Sequence, residues 1–290
     1  MKSKCNKKNN YQPKNDHHFI PQVYIQRFYD EEIKSVWRGK FQYKETKYFT
    51  SAKIFYAYKL YNLKLSGEEF TKIEDAYGKL ENQLSNIYKM IDEIESLSIL
   101  KDEIETKKYL FFILKIIILT QYFRTDDMLP EMFKEKCQNL VKTYESKDAQ
   151  FKKEFDFIKI EELRLIEKLI KKGIKKDKKY TNELIKGLQY SILPLLLSNF
   201  SGRGLKIKRI KTKKYISSDK PVVCKNMDDI LNLRNFIFPL APNILVYALG
   251  NDVTEDMIKD ENKVNDFICD NAISYIISHD KATIENYMKK

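Results

Sequence analysis

Two of the three histidines in this chain are adjacent, at His17 and His18, and they directly follow Asp16. Imidazole titrates near neutral pH, binds metals and acts as an acid or a base, so a histidine pair beside a carboxylate indicates a catalytic or metal-binding role. Neighbouring side chains on extended backbone point to opposite faces, so one histidine would serve chemistry while the other anchors the segment. The alternative is that both histidines have structural or exposed roles.

Arg124 and Thr125 lie where an apolar helix is predicted to end, just after the most apolar stretch, residues 109–119. A buried arginine needs a carboxylate, a phosphate or free carbonyl groups, because an unpaired buried charge is strongly destabilising. Arg124 would therefore stabilise a bound phosphoryl charge. The alternative is a structural role, either at the negative end of the helix dipole or in an ion pair with Asp126 or Asp127.

Two carboxylates complete the set of candidate residues. Asp219 follows a predicted strand and precedes Lys220 and Pro221, a turn that often holds an active carboxylate and that Asp also forms without any function. Glu74 lies on the longest predicted helix. Because these segments are each flanked by apolar sequence, we expect them to assemble one polar cleft. The predicted catalytic residues are His17, His18, Arg124, Asp219 and Glu74.

Seven basic residues and no acid lie between positions 203 and 214, and they form a candidate nucleic-acid contact. They are Arg203, Lys206, Lys208, Arg209, Lys211, Lys213 and Lys214. Aromatic residues at Tyr24, Trp37, Phe41 and Tyr43 could stack on bases, although most are expected in the core. The net charge of +12 adds little, because 46 of the 53 basic residues are lysines and arginine suits phosphate recognition better. The alternative is a solvated edge strand protected by its lysines.

Hydrophobic periodicity predicts a mainly helical α+β fold, a multi-helix body with a small β-sheet inserted late. Apolar residues alternate at spacings of three and four from Phe70 to Ile94, after a capping box at Ser66 and Glu69. This seam fits a dimeric coiled coil or packing on the next helix, predicted over residues 101–123, and its short length favours packing. Further helices are predicted near residues 130–145, 148–172, 181–200 and 254–278, and strands near 36–49, 205–217 and 243–249.

The same patterns define the domain organisation and exclude several classes of protein. Residues 1–15 are predicted to be a disordered basic arm, and residues 16–290 a single globular domain, helix-rich to residue 200 and β-containing from 201. The apolar stretch is too short to span a membrane, and a secretory signal is not apparent, so a cytoplasmic location with a monomer favoured is expected. Four isolated cysteines argue against disulfides and a structural zinc. Walker, GxGxxG, HExxH, GxSxG and zinc-finger patterns are absent.

Short motifs spread along the chain resemble a widespread bacterial family of domains of unknown function. Its members carry HHxxPxxYLxxF, an IE pair on a long helix, an RT pair, SDNPV and FPLSP-like segments. The matching residues here are His17, His18, Pro21, Gln22, Tyr24, Phe28, Ile73, Glu74, Glu81, Arg124, Thr125, Ser218, Asp219, Pro221, Val222, Phe238, Pro239, Leu240 and Pro242. Ile25, Lys220 and Ala241 depart from the pattern. The resemblance implies no particular reaction, but it favours convergence of the polar motif residues.

Two functions follow as hypotheses. The first is a hydrolase of phosphodiester or phosphoryl groups, acting on nucleic acid or a nucleotide, with a histidine as general base or metal ligand and Arg124 stabilising charge. Asp219 and Glu74 would then orient the histidine or hold a divalent metal ion; the sequence assigns no cofactor. The second is a non-enzymatic nucleic-acid-binding module of a host-conflict or phage-related system, in which the motif residues form a buried structural network.

Overall fold

The computed structural model describes residues 16–58, 60, 63–65, 68–70, 72–93, 104–125, 130–149, 152, 159–199 and 204–289. Within these ranges, side chains are not described for 63–65, 68–70, 72–77, 79–80, 93 and 104–107. The predicted arm at residues 1–15, the Arg203 side chain and the Glu74 side chain therefore lie outside what is described.

Helices make up most of the described chain, which confirms the mainly helical α+β class. They are α1 (Gln22–Gln26), α2 (Lys72–Glu93), α3 (Ile104–Phe123), α4 (Leu140–Glu145), α5 (Ile160–Lys176), α6 (Lys178–Gln189), α7 (Leu193–Leu197), α8 (Met227–Leu231), α9 (Glu255–Lys259), α10 (Glu261–Asn271) and α11 (Lys281–Lys289). Short 3-10 turns span Phe41–Tyr43, Ser51–Lys53, Pro130–Phe133 and Lys136–Asn139.

The strands form small antiparallel sheets that join distant parts of the chain. They are β1 (Asp16–His18), β2 (Val36–Lys40), β3 (Glu45–Phe49), β4 (Tyr56–Tyr58), β5 (Leu63–Leu65), β6 (Glu68–Phe70), β7 (Lys206–Arg209), β8 (Ser217–Ser218), β9 (Phe236–Ala241), β10 (Ile244–Ala248) and β11 (Tyr275–Ser278). A four-stranded sheet has the order β3-β2-β11-β8, and a three-stranded sheet has the order β7-β10-β9. Strands β1 and β4 pair separately, as do β5 and β6.

The long helix α2 packs against α3, so the part of the heptad seam whose side chains are described is buried within the chain. Leu84, Ile87 and Ile91 of the seam are buried, and they share one apolar core with α3. The Tyr109 hydroxyl of α3 donates to the Gln83 side chain of α2 at 2.9 Å. Packing on the next helix, one of the two predicted alternatives, therefore accounts for the seam.

A second, smaller core lies between the sheets and the C-terminal helices. Ile216, Leu245, Val264, Ile276 and Ile284 are buried there, contributed by the β8 region, β10, α10, β11 and α11. All five residues of β10 are buried, and because successive side chains of a strand face opposite sides, Leu245 packs in this core while Ile244 and Val246 pack in the larger one. The amphipathic pattern of α10 directs Val264 inward. This core fixes the sheet that carries Asp219.

Three element predictions were wrong in their bounds. Residues 68–70 form the strand β6 and not the first turn of the long helix, because they pair with residues 63–65. The last predicted helix ends at Asn271, and residues 275–278 form β11 because they pair with β2. The helix predicted over residues 181–200 begins earlier, at Lys178, and is interrupted after Gln189, so that Pro194 falls in the first turn of α7.

Candidate functional site

The histidine segment forms β1, and its pairing separates the two imidazoles. His17 lies opposite Ala57 and His18 opposite Tyr56 in the β1–β4 ladder. His17 is 1% exposed, whereas His18 is partly exposed. The two side chains point to opposite faces of extended backbone, as the sequence predicts, and His18 is the histidine that solvent can reach.

The His18 imidazole is held by polar groups on both ring nitrogens. Nε2 lies 3.1 Å from the Ser51 carbonyl oxygen, and Nδ1 lies 3.5 Å from Nε2 of Gln22. A tautomer with its proton on Nε2 satisfies both contacts, because the carbonyl only accepts and the amide nitrogen only donates. Nδ1 is then the lone-pair nitrogen, and its contact is longer than a typical hydrogen bond.

Arg124 joins the end of α3 to the histidine segment. Its side chain is 4% exposed, and Nη2 donates to the His18 carbonyl oxygen at 2.5 Å. The Glu81 carboxylate of α2 lies 3.9 Å away. One turn earlier, the Gln121 amide donates to the Phe19 carbonyl oxygen at 3.0 Å. These contacts supply the carbonyl and carboxylate partners that a buried arginine needs, so the RT motif and the histidine motif meet.

Tyr24 links the histidine motif to the two motifs of the second half of the chain. Its hydroxyl donates to the Pro239 carbonyl oxygen at 2.7 Å and lies 2.6 Å from Oγ of Ser217, which then donates to it. The ring is 1% exposed and stacks on Phe238 with 5.4 Å between centroids. Burial strongly raises the pKa of Tyr24, so the phenol stays protonated. Tyr24 is therefore the central residue of a buried polar network.

Asp219 binds backbone amides and not the histidines. Its carboxylate accepts from the N–H groups of Ile273, Ser274 and Tyr275 at 2.7–3.0 Å, while its own N–H donates to the Tyr275 carbonyl oxygen. The side chain is 5% exposed, and burial raises the pKa of the carboxyl group, opposed by the three N–H donors. Asp219 thus orders the turn that leads into β11.

The structure brings together part of the predicted catalytic set. Arg124 and His18 are in direct contact, and His17 is buried on the same short strand. Hydrogen bonds of Asp219 do not reach either histidine or Arg124 in the described part of the chain. The position of the Glu74 side chain stays a prediction.

The basic strip at residues 204–214 lies on the edge strand β7 and the loop after it, and acids pair with most of its lysines. Lys206 lies 3.1 Å from Glu255, and Lys208 lies 3.2 Å from Glu261. Lys213 pairs with Glu31, Lys214 lies 3.7 Å from Glu261, and Arg209 donates to the Ile91 carbonyl oxygen. Lys211 is exposed. The partners come from helices α9 and α10 and from the loop after α1, and they reduce the charge of this strip.

A denser group of lysines, which the sequence analysis did not single out, surrounds the turn between α5 and α6. We call it the lysine corner: Lys171, Lys172, Lys175, Lys176, Lys178 and Lys179. All six side chains are exposed. Asp177 is the only acid among residues 171–179, and its side chain caps α6 by accepting the Tyr180 N–H at 3.0 Å. The lysine-rich run at residues 171–179, which only Gly173, Ile174 and Asp177 interrupt, was visible in the sequence.

The third histidine, His279, lies just after β11. Its Nδ1 atom is buried and has no hydrogen-bond partner among the described residues, and burial lowers the pKa of the imidazole. The described side chains contain no group of three or more His, Cys, Asp and Glu residues that could hold a metal ion. None of the described helices has the length and apolar character needed to cross a membrane.

The fold and its buried network define an α+β domain in which short motifs from distant segments meet through Tyr24 and Arg124. The model of a family described as a protein of unknown function, DUF4238, matches residues 16–282, and the chain belongs to this family. Searches of curated proteins and of solved structures return no match. The family resemblance predicted from the motifs is confirmed, and it assigns no reaction.

Proposed function

We propose that this protein is a nucleic-acid-binding module that holds the phosphate backbone at the lysine corner. The observation that carries the proposal is the number of exposed lysines there without an acidic partner. Lys171 pairs with Glu167, and Lys178 lies 3.8 Å from Glu131. Lys172, Lys175, Lys176 and Lys179 have no ion pair among the described residues. On the strip, Lys211 is the one described lysine without an acidic partner among the described residues.

The corner has a fixed shape, which suits a repeating polyanion. Helices α5 and α6 approach so closely that a Cβ atom on Gly173 would lie 2.2 Å from Oγ1 of Thr181. The Thr181 hydroxyl donates to the Asp177 carbonyl oxygen at 2.8 Å, and the Asp177 N–H donates to the Gly173 carbonyl oxygen at 2.8 Å. Lysines on both helices are therefore presented on a rigid turn, where they attract phosphates without reading sequence.

The position of two lysines disagrees with what helix stability alone would select. Lys178 and Lys179 lie in the first turn of α6, which contains no acid. The positive end of the helix dipole lies there, and cations at this end are destabilising by about 0.3–1 kcal/mol each at exposed sites. A solvated surface with no function would favour Asp or Glu at these positions. The Asp177 carboxylate at the N-cap offsets part of this cost, and helix stability does not otherwise explain lysine here, which supports a role in binding an anion.

The experiment measures the binding of labelled single-stranded RNA and DNA by fluorescence anisotropy over a range of salt concentrations. One variant removes four corner charges by Lys172→Gln, Lys175→Gln, Lys176→Gln and Lys179→Gln. The matched control removes the same number of charges from the strip by Lys206→Gln, Lys208→Gln, Lys211→Gln and Lys214→Gln. Because net charge is equal in both variants, any difference in binding reports where the nucleic acid binds.

We expect the corner variant to bind weakly and to show a flatter dependence of log affinity on log salt. The slope should fall by about 0.7 for each phosphate of a single strand that the variant no longer neutralises. The strip control should keep most of the wild-type slope. The proposal is wrong if wild-type protein does not bind at low salt, or if the strip variant loses as much affinity as the corner variant.

A second candidate function is phosphodiester hydrolysis at His18, favoured by the loose contact at Nδ1. A partly exposed imidazole with a lone pair on that nitrogen suits a general base, and the Arg124 guanidinium lies against the same residue. Purified protein incubated with labelled RNA, DNA and nucleotides, with and without Mg²⁺, Mn²⁺ or Zn²⁺, tests for turnover. His18→Ala should then abolish turnover while the melting temperature changes little. Wild-type protein that turns over none of these substrates refutes this function.

A further inference from the structure

We infer that a polar cavity between the loop after β7 and helices α10 and α11 binds a nucleoside monophosphate. Its volume is about 300 Å³. Lys213 and Lys214 line it from the loop, Asn262 from α10, and Thr283, Asn286 and Tyr287 from α11. This site is separate from the lysine corner and from the His18 segment, and it does not depend on the proposed nucleic-acid binding.

The charge of the cavity favours an anion. Two ammonium groups line it, and none of its lining residues is acidic. Lys213 pairs with Glu31 and Lys214 lies 3.7 Å from Glu261, but about half of each lysine side chain remains exposed. Exposed ion pairs are weak, so a phosphate dianion can compete with these carboxylates for the two lysines.

Two asparagine side chains that line the cavity can hydrogen-bond a ligand. The side chains of Asn262 and Asn286 are exposed and have no hydrogen-bond partner among the described residues. An asparagine amide offers both donors and an acceptor, which matches the edge of a nucleobase or a ribose hydroxyl. The partly buried Tyr287 ring adds an aromatic surface on which a base can stack.

A buried asparagine holds one wall of the cavity in place without a ligand. Asn265 is 4% exposed, and its side chain accepts from the Ile216 N–H at 3.1 Å and donates to the Lys214 carbonyl oxygen at 2.9 Å. Asn265 thus fixes the lysine loop relative to α10, so a ligand would meet a preformed wall on this side of the cavity.

The size of the cavity narrows the class of ligand. Small-molecule pockets typically span about 300–1,000 Å³, so this cavity is at the small end of that range. It suits a ligand of about the size of a mononucleotide. The lysines would bind the phosphate, and the amides and the tyrosine would bind the nucleoside.

The test is isothermal titration of the full chain with the four common nucleoside monophosphates, with the matching nucleosides, ribose 5-phosphate and inorganic phosphate as comparison probes. Asn286→Asp adds one negative charge with almost no change in shape, and Lys214→Gln removes one positive charge. Lys263→Gln is the matched control, because Lys263 is exposed on α10 beside Asn262, does not line the cavity and gives the same change in net charge.

We expect at least one nucleoside monophosphate to bind with one-to-one stoichiometry and more tightly than its nucleoside, ribose 5-phosphate or phosphate. Asn286→Asp and Lys214→Gln should each weaken binding by about tenfold or more, since contacts to a charged group are strong, while Lys263→Gln changes it by about twofold or less. Unchanged melting temperatures show that the variants are folded. The inference is overturned if no monophosphate binds or if the nucleoside binds as tightly as its monophosphate. It is also overturned if Lys263→Gln loses as much affinity as Asn286→Asp and Lys214→Gln.

Discussion

Replacement of Asp219 by asparagine separates a structural carboxylate from a catalytic one. In the protein, one carboxylate oxygen accepts from Ile273 and the other from Ser274 and Tyr275. Asparagine keeps only one acceptor oxygen, so one of the three backbone N–H donors would face the side-chain NH2 group of the asparagine. Because the site is 5% exposed, water cannot replace the missing acceptor.

The expected loss of stability follows from these bonds. One orphaned buried donor costs about 1–3 kcal/mol, and the remaining bonds lose roughly 1 kcal/mol of charge assistance. Relief from burying a charge acts in the opposite direction, as the raised pKa of this carboxyl group indicates. We therefore expect Asp219→Asn to lower the free energy of unfolding by about 1–3 kcal/mol, and Asp219→Ala, which orphans three donors, by about 3 kcal/mol or more.

Urea denaturation followed by circular dichroism measures both variants. Asp256→Asn is the control, because Asp256 is an exposed residue of α9 whose pairing with Lys259 lies at the surface, and it should change stability by about 0.5 kcal/mol or less. An Asp219→Asn variant as stable as wild type would refute the structural role. If such a variant also lost a measured activity, Asp219 would be catalytic.

Three further predictions concern other parts of the network and fold. Tyr24→Phe orphans two buried groups and should lower the free energy of unfolding by about 1–3 kcal/mol in urea. Gly173→Ala should cost about 1–3 kcal/mol through overpacking, and adding Thr181→Ala should recover part of it in the same assay. Burial lowers the pKa of His279, so as pH falls below about 6.5 the unfolded state binds this proton before the folded state does, and the free energy of unfolding decreases. His279→Gln should reduce that decrease, measured by urea unfolding at neutral and mildly acidic pH.

Elements whose pattern is local could be predicted from the sequence. The apolar run at residues 109–119 belongs to α3, and the seam that includes Leu84 and Ile91 belongs to α2. Strands β2, β3 and β10 fall within the windows predicted to form strands, residues 36–49 and 243–249. In each case, the side chains that face the core are set by spacing within one segment.

Elements that depend on distant partners could not be predicted in this way. Residues 275–278 follow a helix and form a short apolar run, which periodicity cannot assign to helix or strand. Their pairing with β2 decides the outcome, and that partner lies near the other end of the sequence. The ion pairs of the basic strip could not be predicted for the same reason. Its acidic partners Glu255 and Glu261 follow it by about fifty residues, so local sequence does not reveal them.

The contact between the histidine and arginine motifs was predictable, but the place of Asp219 and the roles of these residues were not. The motifs that include His18, Tyr24 and Arg124 do meet in space. Whether an arginine contacts a phosphate or a backbone carbonyl depends on atoms of other segments, so sequence alone left both alternatives open. Asp219 behaves as the turn-forming residue that was its alternative interpretation.

The central position of β11 has a consequence for how the chain folds. This strand lies between β2 and β8, and Tyr275 pairs with Lys40, more than two hundred residues earlier. Pairings this far apart in sequence make folding slow, because a long loop must close before the pairing stabilises anything. During synthesis, β2 can pair with β3 at once, but its other edge has no partner until residue 278 has left the ribosome. An emerging chain thus exposes an unpaired strand edge for most of its synthesis, which is when aggregation or chaperone binding would occur.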